Sequence, residues 1–240
     1  MTSSESVLWP ENIARIEAQN GAAHRIAEIK PADSALVVVD MQNFYLLEGS
    51  TNYCPPALDI VSNINRLAGA FHNAGSPVIW LRNILTNKDL KGWSSYYGHL
   101  TEDRLEYRRQ ELAKDGIGFK LYDELDVRKD DRKINKTRFS AFTPGASNIE
   151  KVLGEHGVEL LVVCGIVTNV CVESTVRDAM MLNYEVLVAE DACASSNPRA
   201  HEASINAMYT HFADVMVTDQ VIATLRGEEW RPETRASAAE

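Results

Sequence analysis

Six short runs of aliphatic and β-branched residues punctuate the chain: Ala35–Val39, Pro77–Leu81, Arg132–Asn135, Leu160–Cys164, Glu185–Ala189 and Asp214–Thr218. Several show no alternation of apolar and polar positions, and Leu160, Leu161, Val162 and Val163 follow one another without a break. Strands of this kind are covered on both faces, as in a parallel sheet. The stretches between them repeat at helical spacing instead. Ala57–Ala74 sets Ile60, Ile64, Leu67 and Phe71 on one stripe, and Ile149, Val152 and Leu153 mark a second helix. Val170–Leu182 and His201–Phe212 supply two more. This alternation predicts βαβ units in a three-layer αβα sandwich, around a mainly parallel sheet of about six strands.

Two stretches break the rhythm. Glu11–Ile29 has a helical pattern but precedes the first strand, so residues 1–30 are expected as a helical extension that contacts a second copy. The connection from Arg82 to Asp131 runs to about 50 residues, far beyond an ordinary crossover. It carries Trp93, Tyr96 and Tyr97 and then a charged helix around Glu102–Leu112, and suits a lid, a pocket wall or an edge decoration equally. Residues 227–240 read as a polar tail, which leaves one domain over residues 31–226.

Composition narrows the function. The 240 residues hold 24 basic and 34 acidic side chains, a net charge of −10, whereas a nucleic-acid binder needs a basic surplus to displace counterions. Cys54, Cys164, Cys171 and Cys193 contain no Cys-x-x-Cys pair and are too scattered for a disulfide framework. The longest apolar stretch, Leu160–Val167, is too short to span a bilayer, and Met1–Pro10 lacks the pattern of a signal peptide. A cytoplasmic enzyme with no nucleic-acid or membrane partner is the expectation.

Ligands of an open parallel sheet bind beyond the carboxyl ends of its strands. The first run ends in Asp40 within VVVDMQN, the third reaches Lys136 within NKTRFSAF, and the fourth leads through GIVTNVC to Cys171 in the first turn of a helix. A carboxylate, an ammonium and a thiol thus meet at one rim. Thr168 or Asn169 is expected to cap that helix, whose N-terminus favours a thiolate. Asp40 would accept the thiol proton and Lys136 would stabilise both anions, a nucleophile activated without histidine. Taken singly, each residue has an ordinary structural reading as a turn aspartate, a solvated lysine or a packed cysteine; their coincidence of position carries the argument. Cys171 and Arg177 share the Cys-x5-Arg spacing of phosphatase loops, but VESTV has no glycine and reads as helix. Six residues of helix rotate by about 600°, so Arg177 belongs with Glu173 instead. No Gly-x-Gly-x-x-Gly or Walker A pattern occurs, and the six histidines show no metal-ligand spacing.

VVVDMQN, NKTRFSAF and GIVTNVCVESTVRDA together resemble the isochorismatase-like cysteine hydrolases, in order and spacing from about Ser34 to Leu225. Within that superfamily the chain is most similar to ureidoacrylate amidohydrolases and related ureido-cleaving enzymes. The resemblance implies Asp40 as general base, Lys136 as its cationic partner and Cys171 as nucleophile. It implies a cis peptide at Ile166–Val167, an oxyanion hole from the amides of Val167 and Cys171, and Asn83 of WLRN as a polar pocket residue. The Asp-x-His metal motif of nicotinamidases is missing from Leu47–Pro56, so neither metal nor other cofactor is expected.

The sequence therefore predicts a hydrolase of C–N bonds other than peptide bonds, acting on a small amide or ureido compound through a covalent acyl- or carbamoyl-thioester. Ureidoacrylate-like acids, N-carbamoyl compounds and urea oligomers such as biuret or triuret remain open as substrates. Gln42, Asn43, Tyr45, Asn83, Trp93, Tyr96 and Phe142 are the expected pocket residues, and Arg82, Lys91 and Arg138 the expected cations for a substrate carboxylate. A vinyl-ether hydrolase using Asp40 without covalent catalysis and a catalytically silent binding module are the alternatives. Trp93, Tyr96, Tyr97 and the N-terminal apolar positions lack an obvious place in a bare three-layer core, so a homo-oligomer, dimer or tetramer, is expected.

Overall fold

The computed structural model describes residues 6–230. Its strands are β1 (Ser34–Val39), β2 (Val78–Asn83), β3 (Arg132–Lys136), β4 (Leu160–Ile166), β5 (Glu185–Ala194) and β6 (Asp214–Met216). They form one six-stranded sheet in the order β3-β2-β1-β4-β5-β6, and every pairing is parallel. Each expected strand is present. β1 and β4 lie side by side at the centre, with Leu36 opposite Val162 and Val37 opposite Val163, and every residue of both is buried. Their apolar sequence, interrupted in β1 only by Ser34 at its start, follows from that position, since helices cover both faces.

The Val61–Ala74 helix buries Val61, Ile64, Leu67, Ala68 and Phe71, and packs with the Thr218–Leu225 helix against the sheet. The helices Glu173–Met181 and Pro198–His211 pack against one another and against β5 and β6. Burial of side chains such as Ile64 and Phe71 contributes about 1.5–3 kcal/mol each. β5 runs five residues past the apolar run that announced it, because a register shift between Val163 and Gly165 lets its far end pair again at Cys193 and Ala194. β6 is shorter than expected: Thr218 opens a helix, with its N–H and hydroxyl both bonded to Asp191 Oδ1 at 2.7 Å. Among the described residues, no helix is long and apolar enough to cross a membrane.

The N-terminal segment departs from a continuous helix to Ile29. The helix is Pro10–Asn20, and Gly21 ends it in the left-handed region at φ 83°, its N–H returning to the Glu17 carbonyl. Beyond it the chain is held by tertiary bonds. Arg25 and Ile26 donate their N–H groups to Asp214 Oδ2 at 2.7 and 2.9 Å, and Tyr209 donates its hydroxyl to the Ala23 carbonyl. Asn206 accepts from the Trp9 amide and donates to the Val7 carbonyl. Ile16, Ile26 and Ile29 join the main core. Of the polar tail, residues 231–240 lie outside the described residues.

Candidate active site

The strand order reverses between β1 and β4, which opens a crevice at their carboxyl ends. Asp40 follows β1 directly and adopts φ 53°, a left-handed conformation that aspartate tolerates better than most residues. Its N–H is held by the Leu81 carbonyl of β2 at 3.1 Å. Lys136 ends β3, two strands away, a gap of about 9–10 Å at ordinary strand spacing. Its long stem crosses the end of β2 and sets Nζ 2.7 Å from Asp40 Oδ2, with both side chains buried. The Lys136 ammonium also donates to the Arg138 carbonyl at 3.2 Å. The Cys171 thiol is buried as well, close enough to Asp40 and Lys136 for both charges to act on its proton. Apart from the Lys136 ion pair, nothing among the described residues hydrogen-bonds the Asp40 carboxylate. The three sequence-predicted residues therefore come together.

Electrostatics give each member a state. Burial pushes the Cys171 thiol up to about 12; Lys136 works against that shift and Asp40 adds to it. Burial disfavours the Lys136 ammonium, but Asp40 and Cys171 outweigh it and hold the lysine above its ordinary value. The resting arrangement is an ion pair beside a neutral thiol. Cys164 and Cys193 are also raised by burial.

The backbone before Cys171 is closely packed. Gly165 has φ 110°, and a Cβ there would come within 2.3 Å of the Val39 carbonyl oxygen, so only glycine lets β4 approach β1 this closely. The Ile166–Val167 peptide is cis. Cys171 then lies in a π-helical turn, Thr168–Val172, rather than in the first turn of an α-helix, which begins at Glu173. The Val167 carbonyl accepts from the amides of Val170 and Val172, and the Cys171 amide between them does not join it. The Val167 N–H makes no hydrogen bond among the described residues. Thr168 and Asn169 do not cap the turn as expected: Thr168 pairs with His201 at 2.8 Å, and Asn169 accepts from Ser195. Arg177 bonds Glu173 through Nε and Nη2, as its helical spacing predicts.

Around this centre the expected pocket residues separate into groups. Tyr45 receives the Asn83 side-chain amide on its hydroxyl at 3.0 Å. Burial raises the Tyr45 phenol well above its usual value, with Asp40 and Cys171 adding to it, which keeps the hydroxyl protonated and able to donate. Asn83 Oδ1 takes no bond from the described residues and is open to solvent. Gln42 is turned to the protein instead: it donates to the carbonyls of Asn83 and Phe119 and accepts the Asn83 amide. It braces β2 and the long connection against the loop that carries Asp40. Asn43 is similarly engaged, its side chain with the Ile117 carbonyl and its amide with the Lys120 carbonyl.

A sequence profile of the isochorismatase domain matches residues 34–220. The chain belongs to the isochorismatase family. Ureidoacrylate amidohydrolase RutB of Acinetobacter baylyi is 35% identical to it over 215 residues, 83% of this chain and 86% of that protein. Among solved structures, a cysteine hydrolase from Pseudomonas syringae pv. phaseolicola 1448A aligns with a TM-score of 0.71 at 26% identity, over 94% of this chain and 99% of that one. N-carbamoylsarcosine amidase from Thermoplasma acidophilum aligns with a TM-score of 0.62 at 25% identity, covering 78% and 97% of the two chains.

In this isochorismatase-family chain the long connection reaches the centre. Residues 118 to 122 run beside the loop after β1, where Gly118, Lys120 and Met41 carbonyls accept the amides of Phe44, Asn43 and Tyr122. Trp93 and Tyr96 stack at 4.5 Å and meet Phe139 edge-on at 4.8 and 5.2 Å. Phe139 follows Arg138, whose carbonyl holds Lys136, so this aromatic cluster borders the ion pair. Phe142 does not take that place. Its ring neighbour is Tyr184, just before the first residue of β5 and so at the opposite end of the sheet. Of the two aromatics of FSAF, Phe139 rather than Phe142 joins the Trp93–Tyr96 cluster, which the local sequence does not distinguish. Among the described residues, no group of three or more His, Cys, Asp or Glu side chains is arranged to hold a metal ion.

Proposed function

We propose that the chain is a cysteine amidohydrolase that cleaves a C–N bond of a small amide or ureido compound. The observation that carries the reading is the buried Asp40–Lys136 pair at 2.7 Å, joined by the Cys171 thiol at the crevice between β1 and β4. The ureidoacrylate amidohydrolase relative and the N-carbamoylsarcosine amidase neighbour support the same bond type. Cys171 Sγ adds to the substrate carbonyl as its proton passes to Asp40, which removes the need for a standing thiolate. The carbonyl electron pair moves to oxygen, which receives hydrogen bonds from the Val167 and Cys171 amides. Collapse re-forms the carbonyl and breaks the C–N bond, and Asp40 gives its proton to the departing nitrogen. Amine or ammonia leaves an acyl- or carbamoyl-thioester. Water, deprotonated by Asp40, then adds to that thioester and expels the Cys171 sulfur, which takes the proton back from Asp40. Lys136 stays charged throughout and balances whichever anion is present.

Intact-protein mass spectrometry with a panel of ureas and amides tests this. The expected result is a substrate-derived adduct on Cys171, absent together with turnover in a folded Cys171→Ala variant. Turnover that survives Cys171→Ala would favour hydrolysis by Asp40 without a covalent intermediate, and binding without turnover would make the chain a binding module. The enzyme is read as cytoplasmic, supported by four cysteines that are all free, and as a homo-oligomer, supported by Met180, Met181 and Leu182 exposed side by side.

A further inference from the structure

Arg108 is the one inward-facing cation of the Glu102–Glu111 helix, which otherwise presents charge to solvent. It shares the inner face with Leu105 and Leu112, three residues before and four after it, and is only 8% exposed. A guanidinium this far from water ordinarily has a carboxylate on it. Among the described residues Arg108 makes no ion pair and no side-chain hydrogen bond. It lies over the rings of Phe44 and Tyr96, 5.2 and 5.7 Å from their centroids. Ring faces soften the burial of a charge but accept little from its five N–H donors. Those nitrogens are not sealed in, since none is a buried atom without a partner. The guanidinium is thus held by two rings and keeps donors with no protein partner among the described residues.

The guanidinium lies near the catalytic centre. Phe44 contacts Tyr45 edge-on at 5.0 Å, Tyr45 is joined to Asn83, and the Tyr45 hydroxyl feels the charges of Asp40, Cys171 and Arg108 together. Asp40 and Lys136 neutralise each other, so Arg108 leaves the site with one unbalanced positive charge. The other cations near it are spent or turned away. Arg138 donates to the carbonyls of Thr137 and Gly92. Arg82 stacks on Phe119, and the alternation of β2 sends it to the face opposite Asn83.

We propose that Arg108 anchors the carboxylate of the substrate, which makes the preferred substrate a monoanionic ureido or amide acid rather than a neutral urea oligomer. This rests on the amidohydrolase reading, and the test separates the two. Binding is measured by calorimetry on the Cys171→Ala protein, with 3-ureidopropionate and its neutral counterpart 3-ureidopropionamide as probes. The expected result is tighter binding of the anion by about ten- to a hundredfold, the range of hydrogen bonds to a charged group. Adding Arg108→Met should erase the preference while the melting temperature holds or rises, because a buried charge without a partner has been removed. With Cys171 intact, Arg108→Met should raise KM for the anion and leave kcat nearly unchanged. Equal binding of the two probes, a preference that survives Arg108→Met, or a marked loss of stability in that variant would overturn the proposal. Arg108→Gln, which removes the charge but keeps a polar end, should lose the preference likewise. A preference for the anion without turnover by the intact protein would sink the hydrolase reading and leave the anchor standing.

Discussion

Cys171 stands between two charges of opposite effect on its proton. Burial raises its pKa most, Lys136 lowers it and Asp40 raises it. Two substitutions should therefore move alkylation in opposite directions while both abolish turnover. Asp40→Asn should speed labelling by iodoacetamide at pH 8, and Lys136→Met should slow it by about tenfold per pKa unit. Each should cost on the order of a hundredfold or more in kcat. Parallel changes in labelling would show that the pair does not act on the thiol. In the native protein labelling should keep rising beyond pH 9, since a thiol held near 12 has little thiolate below that pH. The triad was legible because each member sits in a short motif at the end of an apolar run. Arg108 was not, since RLEYRRQE reads as a solvated face; its i−3 and i+4 spacing to Leu105 and Leu112 was the faint signal of burial. Gln42 was legible as a residue but not in its role, because MQN does not say which way an amide turns.

At the scale of elements, one joint sets the site and another ties the N-terminal segment to the sheet. Gly165 is the first: an alanine Cβ would strike the Val39 backbone immediately before Asp40. Gly165→Ala should destabilise the protein by about 1–3 kcal/mol, with kcat falling further than stability requires, as judged by urea unfolding and initial rates on one preparation. Unchanged kinetics would mean that β1 and β4 absorb the shift without moving their loops. The second joint is the strap formed by the N-terminal segment over β6. Asp214 is buried and accepts the amides of Arg25, Ile26 and Val215, so Asp214→Ala strands three backbone donors and should cost about 2–4 kcal/mol. Hydrogen exchange should then accelerate at residues 23–29 ahead of the sheet, and uniform acceleration would make the strap inseparable from the core. The segment looked like one long helix because its apolar spacing continues past Gly21. The glycine that ends the helix was the stop signal, and Ile26 and Ile29 continue the pattern while serving the core from extended backbone.

For the whole molecule, an outer face remains apolar. Met181 is 65% exposed and Leu182 46%, beside Met180 at the end of the Glu173–Met181 helix. If a second copy covers them, Met181→Glu should lower the mass seen by light scattering, and an unaltered mass would remove this face from the contact. The layered architecture was readable from runs buried on both sides, whereas strand order was not, since periodicity carries no information on which strands become neighbours. That order has a consequence for the chain as it is made. From β1 the first half of the sheet grows one way, to β2 and β3, and the second half the other way, through β4 to β5 and β6. A ribosome therefore delivers Asp40 first, Lys136 much later and Cys171 last, and β1, apolar from Ala35 to Val39 and bound to be the middle of the sheet, must wait for β4 with one edge open. A product that ends before β4 carries that edge without the Cys171 thiol: chemically harmless, but ready to pair with whichever strand arrives first.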